Sequence, residues 1–459
     1  MKKIILAVII LLLLHFFFLA NLRFTVWPEI LSYPYLFNQG FSLYKDFIHP
    51  YPPLLVLVLA FLFKVFDYHL LVVQLTTWAI ILMGDLLIFK IIKMVTQRNR
   101  YAFLGLLFYV SLQPFLEGNM LWFDLAIVTP LLAGTYYLIQ KQLSIKNIFW
   151  VGFWFAVACL VKQTSVLFLG AAFVWLMLQK IEFKKIIWFW VSPAMLAMAL
   201  GGFLLVQGWE KDFLNWTLIY PLTFWGKFPG YVQMALTKRQ FMTVILLFAP
   251  IIYILIKKGK NLMAERHTQL LFILLTASLL LIYPRFSFFH SQTALAFLSI
   301  LTGVVLSMSR SFPLILAIFY LPLIILVHRN AIMLDWGKEA RFLGSGDLKR
   351  ARIVSSQVSP NERVFFLGLP SSLYALSGRI PPKPWTDIFG WYLEIPGVQE
   401  EILNRWENEK PKYIYWQLPR DGNWFDLASY QPQKITKWVE DNYTEKTEPF
   451  PGVILWEKK

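Results

Sequence analysis

Cysteine is nearly absent. Cys159 is the only one in 459 residues, so no intrachain disulfide can staple the fold. Charge is scarce too: Asp, Glu, Lys and Arg make up 15% of the chain, against about 25% in ordinary soluble domains. Acids are the scarcer sign, 27 against 43 Lys and Arg, which leaves a net charge of +16. No internal repeat, low-complexity tract, Walker loop or dinucleotide fingerprint is found, which removes repeat solenoids and the common nucleotide-binding folds. The basic excess does not point to nucleic acid. Its residues stand in short loops between apolar runs, and the polar tail carries many acids, whereas a nucleic-acid reader needs a basic face on a soluble domain.

What is abundant is apolar surface: 58% hydrophobic residues and a mean hydropathy of +0.56. The excess is concentrated in long runs before about residue 327, and the segment from His328 onward looks soluble. Eleven runs predict transmembrane helices: Ile4 to Ala20, Leu70 to Phe89, Tyr101 to Leu116, Leu125 to Gln140, Ile148 to Leu160, Val166 to Leu178, Ile186 to Val206, Phe241 to Ile256, Leu270 to Tyr283, Gln292 to Met308 and Phe312 to Val327. The first follows Lys2 and Lys3 and no A-x-A-like site comes after it, which predicts an uncleaved span. Leu54 to Phe66 is short, follows Tyr51-Pro52-Pro53 and carries Lys64, so it reads as an outer juxtamembrane helix.

Lysine and arginine orient these spans. With the N-terminus in the cytoplasm, Lys90, Lys93, Arg98, Arg100, Lys141, Lys146, Lys180, Lys184, Lys185, Lys257, Lys258, Lys260, Arg266 and Arg310 all fall in inner loops. Glu29, Asp46, Asp67, Glu117, Glu210 and Asp212 fall outside. Counting Leu54 to Phe66 as a span would flip every later loop and break the bias. The expected architecture is an α-helical polytopic membrane protein with about 11 spans over residues 1–327 and a small α/β extracytoplasmic domain over 328–459. The outer loop 21–69 carries the first acidic motif. In the tail, Arg363 to Leu367, Lys412 to Trp416 and Val453 to Trp456 read as strands, and Val398 to Glu407 and Lys434 to Asn442 as helices.

Charge at span ends is costly and needs a reason. Under this topology Glu29, Asp46, Asp124, Lys162, Arg285 and His290 gather on the outer side. Carboxylates there can take a proton from an acceptor hydroxyl, and cations can hold a phosphate. Each residue also has a plain structural role open to it. Glu29 can be a solvated loop acid, Asp46 a partner of Lys45, Asp124 a favourable charge at a helix N-terminus, Lys162 a snorkelling side chain and His290 an interfacial histidine. Asp85, inside a span, reads as paired with Lys90 or as a packing feature. The outer loop 207–240, with Trp209, Trp216, Tyr220, Trp225 and Tyr231, suits either sugar stacking or the membrane interface.

The ordered motifs resemble one family. Trp27-Pro28-Glu29, Gly40, Tyr44-Lys45-Asp46-Phe47 and Pro50-Tyr51-Pro52-Pro53-Leu54 look like the first outer loop of GT-C membrane glycosyltransferases, such as protein O-mannosyltransferases and the aminoarabinose transferase of lipid A. Phe123-Asp124-Leu125 with Pro130 is similar to the second acidic element, Leu160-Val161-Lys162-Gln163-Thr164 to the Lys-Gln-Thr turn, and Pro284-Arg285-Phe286 with His290 to the late Arg and His motif. Gly368-Leu369-Pro370 through Tyr374, Ser377-Gly378-Arg379 and Pro411-Lys412-Tyr413-Ile414 resemble the outer α/β tail of the bacterial branch.

The resemblance implies an inverting glycosyltransferase that moves a sugar from a polyprenyl-phosphate donor to a cell-envelope acceptor at the outer face of a bacterial or archaeal plasma membrane. It implies a catalytic acid in the first outer loop, Asp124 organising donor or acceptor, and Lys162, Arg285 and His290 on the lipid phosphate. No cofactor and often no metal is implied, with a divalent metal left open. The family's Asp-Glu pair is absent, so the base is either Glu29 or Asp46. Three other readings compete, one of them a polymerase or ligase that differs only in using a lipid-diphosphate oligosaccharide as donor. A lipid-linked-sugar flippase needs charges along a path reachable from both sides, and a non-catalytic assembly protein leaves the acids structural.

Overall fold

The computed structural model describes residues 2–308, 312–417 and 430–459; Arg310, expected in an inner loop, lies outside the described residues. Along the chain run α1 (Lys2–Asn21), β1 (Thr25–Val26), α2 (Pro28–Asn38), α3 (Leu54–Phe66), α4 (Leu70–Thr96), α5 (Asn99–Val110), β2 (Met120–Leu121), α6 (Phe123–Ala126), α7 (Val128–Leu138), α8 (Ile145–Val161), α9 (Val166–Leu178) and α10 (Phe183–Gln207). The short α11 (Glu210–Leu214) and α12 (Tyr220–Thr223) precede α13 (Lys238–Ala264), α14 (Arg266–Leu280), α15 (Gln292–Leu306) and α16 (Phe312–Asp335). The tail holds α17 (Ser345–Gln357), β3 (Val364–Leu367), α18 (Ser372–Ser377), α19 (Gly390–Leu393), α20 (Val398–Trp406), β4 (Tyr413–Gln417), α21 (Gln433–Asn442), β5 (Tyr443–Phe450) and β6 (Val453–Lys458).

Each apolar run expected to be a span contains a helix, as backbone in hydrocarbon must satisfy its own hydrogen bonds. Among the described residues five helices are long and apolar enough to cross a membrane singly, within α1, α4, α10, α13 and α16, and six apolar helices are shorter. The run expected to end at Leu116 stops at Val110. Pro114 then opens a wide turn in which Leu116 and Glu117 leave helical geometry. The run Leu54 to Phe66 is helical between Pro53 and Asp67, as its sequence borders predict.

The chain forms two compact units. The first comprises Met1–Phe24, Gln74–Leu200 and Gln233–Lys338. Its central element is α15, buried along its whole length, with α5 and α14 packed on it. Glycine permits the α5–α15 crossing: a Cβ on Gly105 would come within 2.4 Å of Ile92 and 2.9 Å of the Ser299 carbonyl, and one on Gly303 within 3.0 Å of the Tyr101 carbonyl. Large apolar side chains such as Ile256 (77% exposed) and Leu314 (69%) stand on the outside, a surface suited to lipid.

The second unit comprises Thr25–Val73, Gly201–Val232 and Glu339–Lys459. Its sheet has the order β3-β4-β6-β5, with β3 and β4 parallel and the other pairs antiparallel. Phe365 lies opposite Ile414 and Tyr415 opposite Leu455, so buried side chains face the core in register. The expected tail strands and helices are present. Strand β5, not anticipated, reads Tyr-Thr-Glu-Lys-Thr-Glu-Pro-Phe and sits at the sheet edge, where charge and proline are tolerated. Helix α2 packs on both α3 and α18. The division expected at residue 327/328 falls inside α16, which continues to Asp335, and the unit around the tail also takes in residues 25–73 and 201–232.

Candidate functional site

In the first unit three expected residues meet at breaks between apolar helices. Asp124 lies in the first turn of α6, where a carboxylate meets the positive end of the helix. Lys162 is the residue at which α8 ends, before the turn Gln163–Ser165 leads into α9. A lysine there meets the negative end of its own helix. His290 precedes α15. The Lys162 ammonium donates to Asp124 Oδ1 at 2.6 Å, and His290 Nδ1 lies 2.9 Å from Oδ2. Asp124 is fully buried and Lys162 nearly so (8% exposed). A buried carboxylate is stable only when paired, and here each oxygen has its own cationic or hydrogen-bonding partner.

The turn carrying His290 is fastened from the α5–α6 connection. The Glu117 carboxylate accepts the backbone N–H groups of Phe288 (3.0 Å) and Phe289 (3.3 Å). Gln292 donates to the Leu116 carbonyl at 2.7 Å. Glu117 sits at φ +56°, so its backbone bends to reach this turn. Arg285 stands earlier in the same connection, whose strand-like bridge to Gln233 is closed by Gln233 N–H to Pro284 and Phe286 N–H to Gln233. Deeper in this unit, Asp85 pairs with His15 (2.7 Å), which also reaches Gln113 (3.1 Å), in place of the Lys90 pairing that the sequence suggested. That histidine comes from α1, far from Asp85 in sequence.

The second unit holds the two remaining carboxylates, in opposite electrostatic states. Asp46 accepts from the Ser42 backbone N–H (2.9 Å), the Lys383 ammonium (3.0 Å) and the Arg405 guanidinium (3.3 Å). Burial pushes its carboxyl up, but that hydrogen bond and the two tail cations outweigh it and hold Asp46 below the usual range. Glu29, in the first turn of α2, is 4% exposed, and its Oε2 is buried without a hydrogen-bond partner. Desolvation, then the charge of Asp387, raise its carboxyl well above the ordinary value, against a smaller lowering from a backbone hydrogen bond. Asp387 is buried as well (4% exposed) and accepts the Tyr33 hydroxyl at 3.0 Å. His49 is buried beside the rings of Tyr33, Tyr44 and Tyr51, and burial lowers it to about 3, so it is neutral.

The structure thus brings Asp124, Lys162 and His290 together and gives Asp46 and Glu29 different surroundings. Asp387 was missed by sequence reasoning. The signal was present: a lone acid in the aromatic run Trp385-Thr386-Asp387-Ile388-Phe389 is costly to bury and so needs a reason. Among the described residues no cluster of three or more His, Cys, Asp or Glu side chains is arranged to hold a metal ion.

The helical order and the α/β tail define the class: the chain is a multi-pass membrane protein with the fold of the GT-C glycosyltransferases. The crystal structure of ArnT, the aminoarabinose transferase, from Cupriavidus metallidurans bound to undecaprenyl phosphate matches it with a TM-score of 0.63 over 99% of this chain and 98% of that one, at 12% identity. The apo oligosaccharyltransferase of Archaeoglobus fulgidus matches with a TM-score of 0.60 at 10% identity, over 90% of this chain and 69% of that one. The oligosaccharyltransferase AglB of the same archaeon, in complex with an inhibitory peptide and a dolichol-phosphate, gives 0.58 at 9% identity, over 100% and 74%. The likeness is one of fold, and no family model or curated protein matches the sequence.

Proposed function

We propose that the chain is an inverting glycosyltransferase that moves a sugar from a polyprenyl-phosphate donor to an envelope acceptor at the outer face of a bacterial or archaeal plasma membrane. In this reading eleven helices span the bilayer, the N-terminus is cytoplasmic and the tail extracytoplasmic. The carrying observation is the buried Asp124 bracing Lys162 and His290 at helix breaks, in a chain whose fold neighbours include a transferase bound to undecaprenyl phosphate. An ammonium has three donors, of which Asp124 takes one, and the others suit phosphate oxygens. Arg285, in the same connection as His290, adds a further cation.

Glu29 is the general base in this reading. Its carboxyl is held at raised basicity, whereas Asp46 is committed to Lys383, Arg405 and Ser42. Glu29 takes the proton of the acceptor hydroxyl as that oxygen bonds to the anomeric carbon. The bond from the anomeric carbon to the phosphate oxygen breaks, and its electron pair leaves with the phosphate. A single displacement inverts the anomeric configuration. No cofactor enters these steps.

The test is transfer from a labelled undecaprenyl-phosphate sugar by the purified protein in proteoliposomes, with and without EDTA. Transfer with inverted product in both conditions supports the reading. Flipping of the donor lipid without transfer would replace it with a transporter.

A further inference from the structure

The connection between α5 and α6 is built as a bracket. Glu117 stands in it with φ +56° and ψ +26°, the left-handed region. A side chain with a Cβ is disfavoured there, and such a residue persists only where its surroundings hold it. The neighbours of Glu117 are held from several sides. Gln113 donates through Nε2 to the Gly118 carbonyl at 2.9 Å. Asn119 donates to the Leu19 and Leu22 carbonyls, both at 2.9 Å, and accepts the Trp78 indole N–H at 3.1 Å. The bracket is thus tied to the end of α1, to α4 and to the end of α5.

Glu117 reaches the other way, to a turn 171 residues further along the chain. Its Oε2 accepts the backbone N–H groups of Phe288 at 3.0 Å and Phe289 at 3.3 Å. Two successive N–H groups on one oxygen form a small anion nest, and a carboxylate there makes charge-assisted bonds. Gln292, 1% exposed, fixes the same turn by donating to the Leu116 carbonyl at 2.7 Å and the Phe288 carbonyl at 3.1 Å. His290 is the residue after the nest. Its ring lies 4.1 Å from that of Phe289, and its Nδ1 lies 2.9 Å from Asp124 Oδ2. With Nδ1 on Asp124, Nε2 is the nitrogen left for a phosphate oxygen.

We infer that Glu117 is a positioning residue: its carboxylate holds the backbone at Phe288 and Phe289 so that His290 stays on Asp124 and keeps Nε2 for the donor phosphate. The inference rests on the reading of Asp124, Lys162 and His290 as the phosphate site. It adds to that site an acid that does not touch the lipid. By charge alone an acid near a phosphate opposes binding. Glu117 favours it through two hydrogen bonds to backbone, and a neutral glutamine keeps an oxygen that can accept both.

The test uses the full-length protein in proteoliposomes, titrated with fluorescent undecaprenyl phosphate. Glu117→Ala raises the Kd ~10–100-fold, the range found when a residue that orients a ligating histidine is lost. Glu117→Gln stays within about threefold of the wild type because its amide oxygen still accepts. If Glu117→Ala does not fold, Glu117→Asp replaces it, since its carboxylate is one methylene short of the nest and carries the same expectation. A second measurement needs no lipid: solid-state nitrogen NMR of the histidine rings, with the His290 signals assigned by His290→Gln. The Nδ1 signal moves in Glu117→Ala and returns in Glu117→Gln. An unmoved His290 signal in Glu117→Ala overturns the inference, even where Tm falls, because the acid is then only structural. Affinity lost equally in Glu117→Gln and Glu117→Ala overturns it as well. A wild type that binds no undecaprenyl phosphate while the His290 signal moves as expected keeps the positioning role and removes the phosphate reading instead.

Discussion

Glu29→Gln against Asp46→Asn separates the two first-loop acids. Both changes keep the side-chain shape, remove the charge and turn one acceptor oxygen into an N–H donor. Glu29 has a buried, unpartnered oxygen and raised basicity, so it can receive a proton, and glutamine cannot. Losing a positioned general base slows the chemical step ~10²–10⁴-fold. That corresponds to about 3–5 kcal/mol on the barrier. Asp46 instead accepts three hydrogen bonds and two half-exposed tail cations hold it ionised. Asparagine there weakens those bonds by ~1–2 kcal/mol of stability, discounted for solvent at Lys383 and Arg405, and leaves kcat within about tenfold. The assay is the initial rate of sugar transfer in proteoliposomes per folded protein, alongside thermal unfolding of each variant. A Glu29→Gln enzyme with wild-type kcat, or an inactive Asp46→Asn enzyme of wild-type stability, would refute the assignment.

Three further outcomes are expected. Lys162→Met strips Asp124 of one of its two partners and destabilises the fold by ~3–5 kcal/mol; adding Asp124→Asn restores much of that stability but not binding of undecaprenyl phosphate, read by thermal unfolding and a fluorescent-lipid titration. Burial raises the Glu29 and Asp387 carboxyls above their unfolded values, so the folded state binds protons that the unfolded chain has released; stability therefore falls as pH rises through the window between the ordinary and the raised values. Glu29→Gln flattens that dependence in a plot of Tm against pH, and an unchanged slope would count against the raised Glu29 carboxyl. Gly303→Leu drives a side chain into Ile92 and the Tyr101 backbone and destabilises by ~3 kcal/mol or more in thermal unfolding, whereas Gly170→Leu, with open space around it, changes little.

Much of the architecture is written locally. Apolar length marks where helices lie, because hydrocarbon leaves the backbone no other partners. Pro53 and Asp67 bound α3, and the Lys162-Gln163-Thr164 break separates α8 from α9, all by chemistry within a few residues. The end of α5 was harder to see, since the apolar character of Tyr101 to Leu116 continues past the Pro114 turn that ends it. Strand β5 was hidden for the opposite reason: an edge strand needs little apolar surface, so its polar sequence carries no strand pattern.

The sequence alone determined which residues carry charge in an apolar chain, and the bias of its loops predicts a cytoplasmic N-terminus. Tertiary structure decided how those charges pair. Asp124 meets Lys162 and His290 across separate helices, Asp85 meets His15 rather than Lys90, and Asp46 meets Lys383 and Arg405 from the tail. Burial, with the charge of Asp387 adding to it, raises Glu29, and Asp387 lies in a stretch with no periodicity to announce it. The basicity of a carboxyl depends on its desolvation and on charges within a few ångströms. Residues hundreds of positions away in the chain supply those charges, so only the folded protein makes Glu29 and Asp46 different acids.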